Sequence, residues 1–356
     1  MSSAVTRSEG ERLRRVLVIG VGSIGTRHIA NLRTLGVKDI TIWDTDPRRC
    51  QEGAERWGVR AGRSLEAAYA AKPDAVVVCV PTSLHLPLAR GAIQRGCDVF
   101  VEKPLSHTLD GVEGLTALAR ELGRVLMVGY NLRFSPQALQ VNRWLSEERV
   151  GRVVSARLHC GSYLPARHPW EDYRQGYGAR QALGGGVILD AIHEIDYALW
   201  FFGLPEHVYC VSGRFSNLEI DTEDTAEILL TYAGGRVVSL HLDYLQRPHQ
   251  RWCEVIGSGG WLRCDFVSGD VRLFEDGKQA PTVFNERHDP NEEYLREMEH
   301  FLACAARRAL PPVDGVSARW SLEVALAAKR SAAEGRPIDI RPREDAPQLL
   351  SEGCSP

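Results

Sequence analysis

RVLVIGVGSIGTRHIAN, Arg15 to Asn31, is the stretch on which the reading of the fold turns. Val16 to Gly20 is an almost unbroken apolar run, as expected of a strand buried on both faces of a parallel sheet. Gly20, Gly22 and Gly25 then form G-x-G-x-x-G, and Ile24, His28, Ile29, Leu32 and Leu35 continue at helical spacing to a stop at Gly36. Gly20 allows a tight turn, Gly22 lets backbone approach a pyrophosphate, and Gly25 lets helix and strand pack closely. Ser23 and Ile24 open the helix, whose first N–H groups have no intrahelical acceptor and favour phosphate. A second strand, Ile40 to Trp43, ends in Asp44, nineteen residues after Gly25. That spacing is close to the ~20 residues expected of the acid that binds an adenosine ribose. The competing reading is a turn and helix cap without a ligand. Strand, glycines, helix and acid together favour a dinucleotide, NAD in preference to NADP.

Working outward, 356 residues suggest two domains, and a net charge of −3 offers no case for nucleic acid or an anionic membrane surface. No apolar run approaches the ~18 residues that would cross a bilayer. Nine cysteines without C-x-x-C pairs or zinc spacing read as buried, reduced thiols of a cytoplasmic protein, and no metal is expected. Residues 1–13 read as a disordered lead-in and 341–356 as a frayed tail.

Within the first half, AVVVCVPT is a second fully apolar strand whose carboxyl end carries Pro81, Thr82, Ser83 and His85. Ligands of open α/β sheets bind beyond such ends, so these residues should lie beside a nicotinamide. CDVFVEKP follows, with Glu102 and Lys103 at a strand exit and Pro104 restricting Lys103 toward an extended conformation. A surface ion pair explains these three residues equally well. A helix from Leu109 to Leu122 leads to a sixth strand, after which come Tyr130, Asn131, Leu132, Arg133 and Phe134.

From Val153 the pattern turns to strands with hairpin signals, notably AEILLTYA and RVVSLHLDY around Gly234-Gly235. The expected class is α/β: a parallel sheet over 14–134, then an α+β domain over 135–340 with a large, mainly antiparallel open sheet. Alternating apolar residues on that sheet predict a homo-oligomer, dimer or tetramer, joined sheet to sheet.

Between the two halves lies HPWEDYRQGYGARQALGGGVILDAIHEIDYALWFFG. Its periodicity predicts one helix after the three glycines, apolar on most sides, with Asp190, His193, Glu194 and Tyr197 sharing a face. Charged groups on a buried helix are costly unless paired. Either they form a substrate and proton-transfer face or they tie helix to sheet. Asp196, just off that face, reads as structural. Arg133, Tyr163, His168, Trp170, Tyr173, Arg174, Tyr177 and Arg180 interleave aromatics with cations, which suits a stacked ligand with an anionic substituent, although a plain surface loop fits most of them nearly as well.

GVGSIGTRH, Asp44, PTSLH, EKP and GYNLRF together resemble the Gfo/Idh/MocA family of sugar and inositol oxidoreductases, over nearly the whole chain. The resemblance implies a Rossmann domain and places Lys103 at a catalytic centre. It implies an NAD-dependent dehydrogenase or reductase acting on a secondary alcohol or ketone of a sugar, nucleotide sugar or inositol-like polyol. His193 would serve as general base, Lys103 would hold the reacting oxygen, and Asp190 would orient either. Gly20, Gly22, Ser23, Ile24, Gly25, Asp44, Pro81, Thr82, His85, Glu102 and Lys103 would bind cofactor. Arg133, Tyr163, Trp170, Arg174, Tyr177 and Glu194 would bind substrate. Many members carry D-x-x-x-H where this chain has D-x-x-H, so Glu194 occupies the usual histidine place. The form GGGxxLDxxHExDY is similar to a subgroup linked to nucleotide-sugar or surface-polysaccharide metabolism. An NAD-dependent glycoside hydrolase and a non-catalytic NAD and sugar sensor share the fold and are the alternatives.

Overall fold

The structure is a computed structural model and describes residues 15–340; the lead-in and tail lie outside the described residues. Two units form, each with its own sheet. In the first, β1 (Arg15–Ile19), β2 (Asp39–Trp43), β3 (Arg60–Ala61), β4 (Ala75–Val78), β5 (Asp98–Glu102) and β6 (Leu126–Gly129) lie in the order β3-β2-β1-β4-β5-β6. All pairs are parallel. The near-continuous apolar runs follow from this, because β4, β5 and β6 are buried along their whole length. Strand order reverses between β1 and β4, and the carboxyl ends there carry Gly20 and the Pro81–His85 segment.

Helices α1 (Ser23–Thr34), α2 (Pro47–Trp57), α3 (Leu65–Ala70), α4 (His85–Gln94) and α5 (Val112–Glu121) make the crossovers. Asp46 caps α2 by accepting from the Arg48 N–H, and Ser64 caps α3 by accepting from the Ala67 N–H.

The second unit is built on a nine-stranded sheet. Its strands are β7 (Val153–Gly161), β8 (His207–Gly213), β9 (Thr225–Thr231), β10 (Val237–Asp243), β11 (Gln250–Gly257), β12 (Gly260–Asp265), β13 (Asp270–Glu275), β14 (Thr282–Asn285) and β15 (Ile338–Asp339). The order is β14-β13-β12-β11-β7-β10-β9-β8-β15, antiparallel except for β7 with β10. The expected hairpin joins β9 to β10 through Ala233–Gly235, where Gly234 and Gly235 take φ of 76° and 84°. With this sheet go α6 (Pro136–Ser146), the short α7 (Leu164–Arg167), α8 (Val187–Asp190), α9 (His193–Phe202) and nearly all of α11 (Gly315–Glu334); α10 (Asn291–Arg307) precedes α11 in the chain.

One expectation is corrected. The single helix over Val187 to Phe202 is two, α8 and α9, with Ala191 and Ile192 as a turn between them. At i and i+4 of a continuous helix Asp190 and Glu194 would stand on one stripe; the turn lets each meet a different cation.

The segment Tyr294–Gly315, most of α10 and the loop after it, clusters with the first unit. There the Phe301 ring meets Phe100 edge-on at 5.7 Å, Val128 N–H donates to Val313 O at 3.0 Å, and Arg308 bonds Asp98. A cut at 134/135 therefore leaves this segment on the far side of the chain from the strands it packs on. No helix among the described residues is long and apolar enough to cross a membrane, and the eight cysteines among them are free and buried.

Candidate active site

In the first unit, the glycines separate by what a Cβ would meet. At Gly25 it would stand 1.9 Å from Gly20 O, and at Gly20, where φ is +92°, 2.2 Å from Cys79 O. At Gly22 the nearest atom is Arg49 Nη1 at 3.9 Å. Two glycines thus serve protein packing, and the third leaves an open backbone surface at the start of α1. Asp44 turns its carboxylate back to this loop, accepting from Val21 N–H at 2.7 Å and Asp46 N–H at 2.9 Å. A carboxylate aimed beside an open glycine cradle fits a dinucleotide with an unmodified adenosine ribose. Arg48 is folded onto Asp46 instead, with its Nη2 at 3.0 Å. Ser23 and Ile24 form the first turn of α1, and Thr82 begins a short turn that Pro81 closes by accepting from Leu84 N–H.

Lys103 follows β5, and a hydrogen-bond chain holds its backbone. The Glu102 carboxylate accepts from the Lys103 N–H at 3.2 Å and meets His28 Nε2 at 2.7 Å, with His28 wholly buried. His85 spans two loops, with Nδ1 at 2.7 Å from Pro104 O and Nε2 at 2.8 Å from Val80 O. Burial outweighs those carbonyls and holds the imidazole below its ordinary pKa, so it is neutral and donates to one of them. His85 thus braces the Lys103–Pro104 turn from behind.

In the second unit, Asp190 is almost fully buried and receives three donors: Arg167, the Tyr177 hydroxyl, and the Tyr244 hydroxyl at 3.1 Å. Burial works against the Arg167 charge, but Asp190 prevails and raises its pKa above the usual guanidinium value. Burial, and then Asp190, push the Tyr244 hydroxyl up, so it remains a donor. His193 begins α9 and meets Tyr130 edge-on at 5.6 Å. Glu194 is fully buried and paired with Arg251 Nε at 2.8 Å. Arg251 also reaches Cys160 Sγ at 3.3 Å.

Of the residues read as substrate-binding, the structure brings Tyr177 onto Asp190. Arg133 turns both guanidinium nitrogens to Asp196, at 2.7 and 2.9 Å, and Ser321 joins Asp196 at 3.0 Å. Arg174 is exposed and bonds Asp172 and Glu219. Tyr163 lies beneath Arg247, and Trp170 is 73% exposed. Arg167, Tyr244 and Arg251 were missed. Tyr244 was the most legible of them: Leu240, Leu242 and Tyr244 alternate onto one face of β10 and its extension, while the other two carry no local signal.

The model of an oxidoreductase family with an NAD-binding Rossmann fold matches residues 14–130, and that of a GFO/IDH/MocA C-terminal domain matches 138–263. Among curated relatives, a scyllo-inositol 2-dehydrogenase (NAD(+)) of Bacillus subtilis is 26% identical, with 92% of this chain and 96% of the relative covered. A myo-inositol 2-dehydrogenase of Thermotoga maritima is 28% identical, covering 92% of this chain and 98% of the relative. Among solved structures, GenD2 from gentamicin A biosynthesis in complex with NAD superposes with a TM-score of 0.82 at 25% identity, covering 95% of this chain and all of that one. A Bordetella pertussis WlbA dehydrogenase with NADH and UDP-GlcNAcA shares the fold, with a TM-score of 0.81 at 23% identity over 93% of this chain and all of that one. Both halves of the sequence are matched by models of the same family: the chain belongs to the Gfo/Idh/MocA oxidoreductases.

Proposed function

We propose that the protein is an NAD-dependent dehydrogenase or reductase acting on a secondary alcohol, or the matching ketone, of an inositol-like polyol, a sugar or a nucleotide sugar. The observation that carries this reading is Asp190, a buried carboxylate held by Arg167, Tyr177 and Tyr244 three residues before His193. Bound NAD supplies the acceptor or donor of a hydride. Gly22, Ser23 and Ile24, in the loop that Gly20 and Gly25 shape, would hold its phosphates, Asp44 its ribose, and Pro81, Thr82 and the Glu102–Lys103 turn its nicotinamide end.

His193 takes the proton of the substrate hydroxyl in oxidation and returns it in reduction. Lys103 holds the reacting oxygen and offsets the charge that develops there. Asp190 fixes the neighbouring imidazole. Glu194 is the weaker candidate for proton transfer, because its carboxylate is already committed to Arg251. Relatives named as inositol 2-dehydrogenases support a cyclic polyol as the first substrate class to try.

NADH absorbance with a panel of inositols, sugars and nucleotide sugars tests the activity, and net accumulation of NADH separates it from a hydrolase that recycles its cofactor. Lys103→Ala and His193→Ala should each lower kcat by on the order of 10²–10⁴-fold while NADH affinity holds. The double variant should fall little below the poorer single one. If Glu194→Gln abolishes turnover while His193→Ala retains it, the base is Glu194; normal turnover in every variant defeats the proposal.

We also propose that the chain assembles with copies of itself through the open face of the nine-stranded sheet. Supporting this, Tyr209, Val211, Leu229, Ile256 and Trp261 are exposed on its strands.

A further inference from the structure

On that same open face, two histidines from different strands stand side by side. His159 of β7 is directly opposite His241 of β10, and Gly161 is opposite Asp243. The two-residue period places these four on one face, while Leu158, Cys160, Leu240 and Leu242 are buried on the other. Gly161 makes room: a Cβ there would stand 2.3 Å from Asp243 Oδ2 and 2.2 Å from Gln246 Oε1. Its missing side chain is what lets that carboxylate and that amide lean toward the imidazoles.

We propose that His159, His241 and Asp243, with the side-chain carbonyl of Gln246, bind a divalent transition-metal ion of the zinc type. Candidate ligand atoms of the first three lie within 4.8 Å of one another, with His241 Nε2 and Asp243 Oδ2 at 3.0 Å. His159 Nε2 is 2.6 Å from Gln246 Oε1. Ligands ~2.0–2.2 Å from a tetrahedral ion stand roughly 3.5 Å apart, so closure requires small side-chain rotations. The imidazoles are within 16° of parallel with centroids 4.7 Å apart, and the broad outer torsion of histidine allows them to tilt together. Two imidazoles and a carboxylate suit Zn²⁺, Co²⁺ or Ni²⁺ better than Mg²⁺ or Ca²⁺.

Beyond the ligands, the supporting groups are also in place. A metal-bound histidine nearly always gives its other ring N–H to a carboxylate or carbonyl, and His241 Nδ1 is 2.5 Å from Glu227 Oε1. Asp243 Oδ1 accepts the N–H groups of Leu245 and Gln246 at 2.6 and 2.7 Å, which leaves Oδ2 for the ion. Trp252 stacks flat on His159, 5° from parallel with centroids 5.0 Å apart, and limits the swing of that ring. The expectation of no metal rested on cysteine spacing, which is blind to histidines brought together by strand pairing. An ion here clasps the one parallel pair of the sheet at its carboxyl end. Tyr244, the next residue after Asp243, points through to the other face and donates to Asp190.

The test uses full-length protein stripped with EDTA, titrated with Zn²⁺ by calorimetry and with Co²⁺ followed by its visible d–d bands. One ion per chain is expected, with tetrahedral Co²⁺ bands and a Zn²⁺-dependent rise in Tm. His159→Ala and His241→Ala should each weaken binding by at least ~10–100-fold, and Glu227→Gln by about 10-fold at unchanged stoichiometry. If an alanine variant does not fold, His159→Gln and His241→Gln carry the same expectation. Absence of Zn²⁺ binding by the natural sequence, or equal binding by the His159→Gln/His241→Gln protein, overturns the proposal and leaves a hydrogen-bonded cluster without an ion.

Discussion

His85 shows how a single side chain serves the cofactor unit without touching a ligand in any contact described above. Its ring is buried between Val80 O and Pro104 O, and its pKa lies below the ordinary 6.5, chiefly through burial. Below about pH 6.5 the unfolded chain therefore binds more protons than the folded one, so this residue's contribution to stability falls as pH falls. Above that range the contribution is constant. Replacing it by glutamine, whose amide N–H donates without titrating, should flatten part of the acid side of a Tm-against-pH curve. Parallel curves for the two proteins would show that His85 does not act this way. Asp44 carries a second prediction at this scale. Asp44→Ser removes the charge that repels a 2′-phosphate, and with Arg49 nearby the ratio of kcat/KM for NADP over NAD should rise. An unchanged ratio would assign ribose recognition elsewhere.

Between residue and fold stands the β1–α1 element, whose three glycines have separable duties. Gly25→Ala places a methyl 1.9 Å from Gly20 O and should lower Tm sharply, by loss of close helix–strand packing. Gly22→Ala meets nothing nearer than 3.9 Å, so Tm should hold while NADH affinity drops. Calorimetric titration beside thermal melts distinguishes them, and equal melting losses would contradict the division. This element was legible because its information is local: a buried strand, obligatory glycines and an acid at fixed spacing. The break at Ala191–Ile192 was not. Helical periodicity runs unbroken through Val187 to Phe202, and the turn coincides with cations that arrive from elsewhere, Arg167 beside Asp190 and Arg251 beside Glu194. Arg133 was misleading for the same reason. An arginine after a strand invites an anion, and here the anion is the protein's own Asp196.

For the whole molecule, light scattering at micromolar concentration should report a dimer or tetramer, and charged substitutions at Val211 and Leu229 should dissociate it. A monomer before substitution would refute assembly through the sheet. Connectivity has its own outcome. The first unit is closed by Tyr294–Gly315, whose Phe301, Val313 and Arg308 contact Phe100, Val128 and Asp98 across an intervening stretch of sequence that holds β7 to β14. A ribosome therefore releases the six parallel strands long before the helix that covers them exists. Until the last part of the message is read, Phe100 and its neighbours are an apolar surface without its partner, and the nascent chain needs shelter over that interval. A gene truncated anywhere before codon 294 should yield an insoluble product, however complete its nucleotide-binding motif.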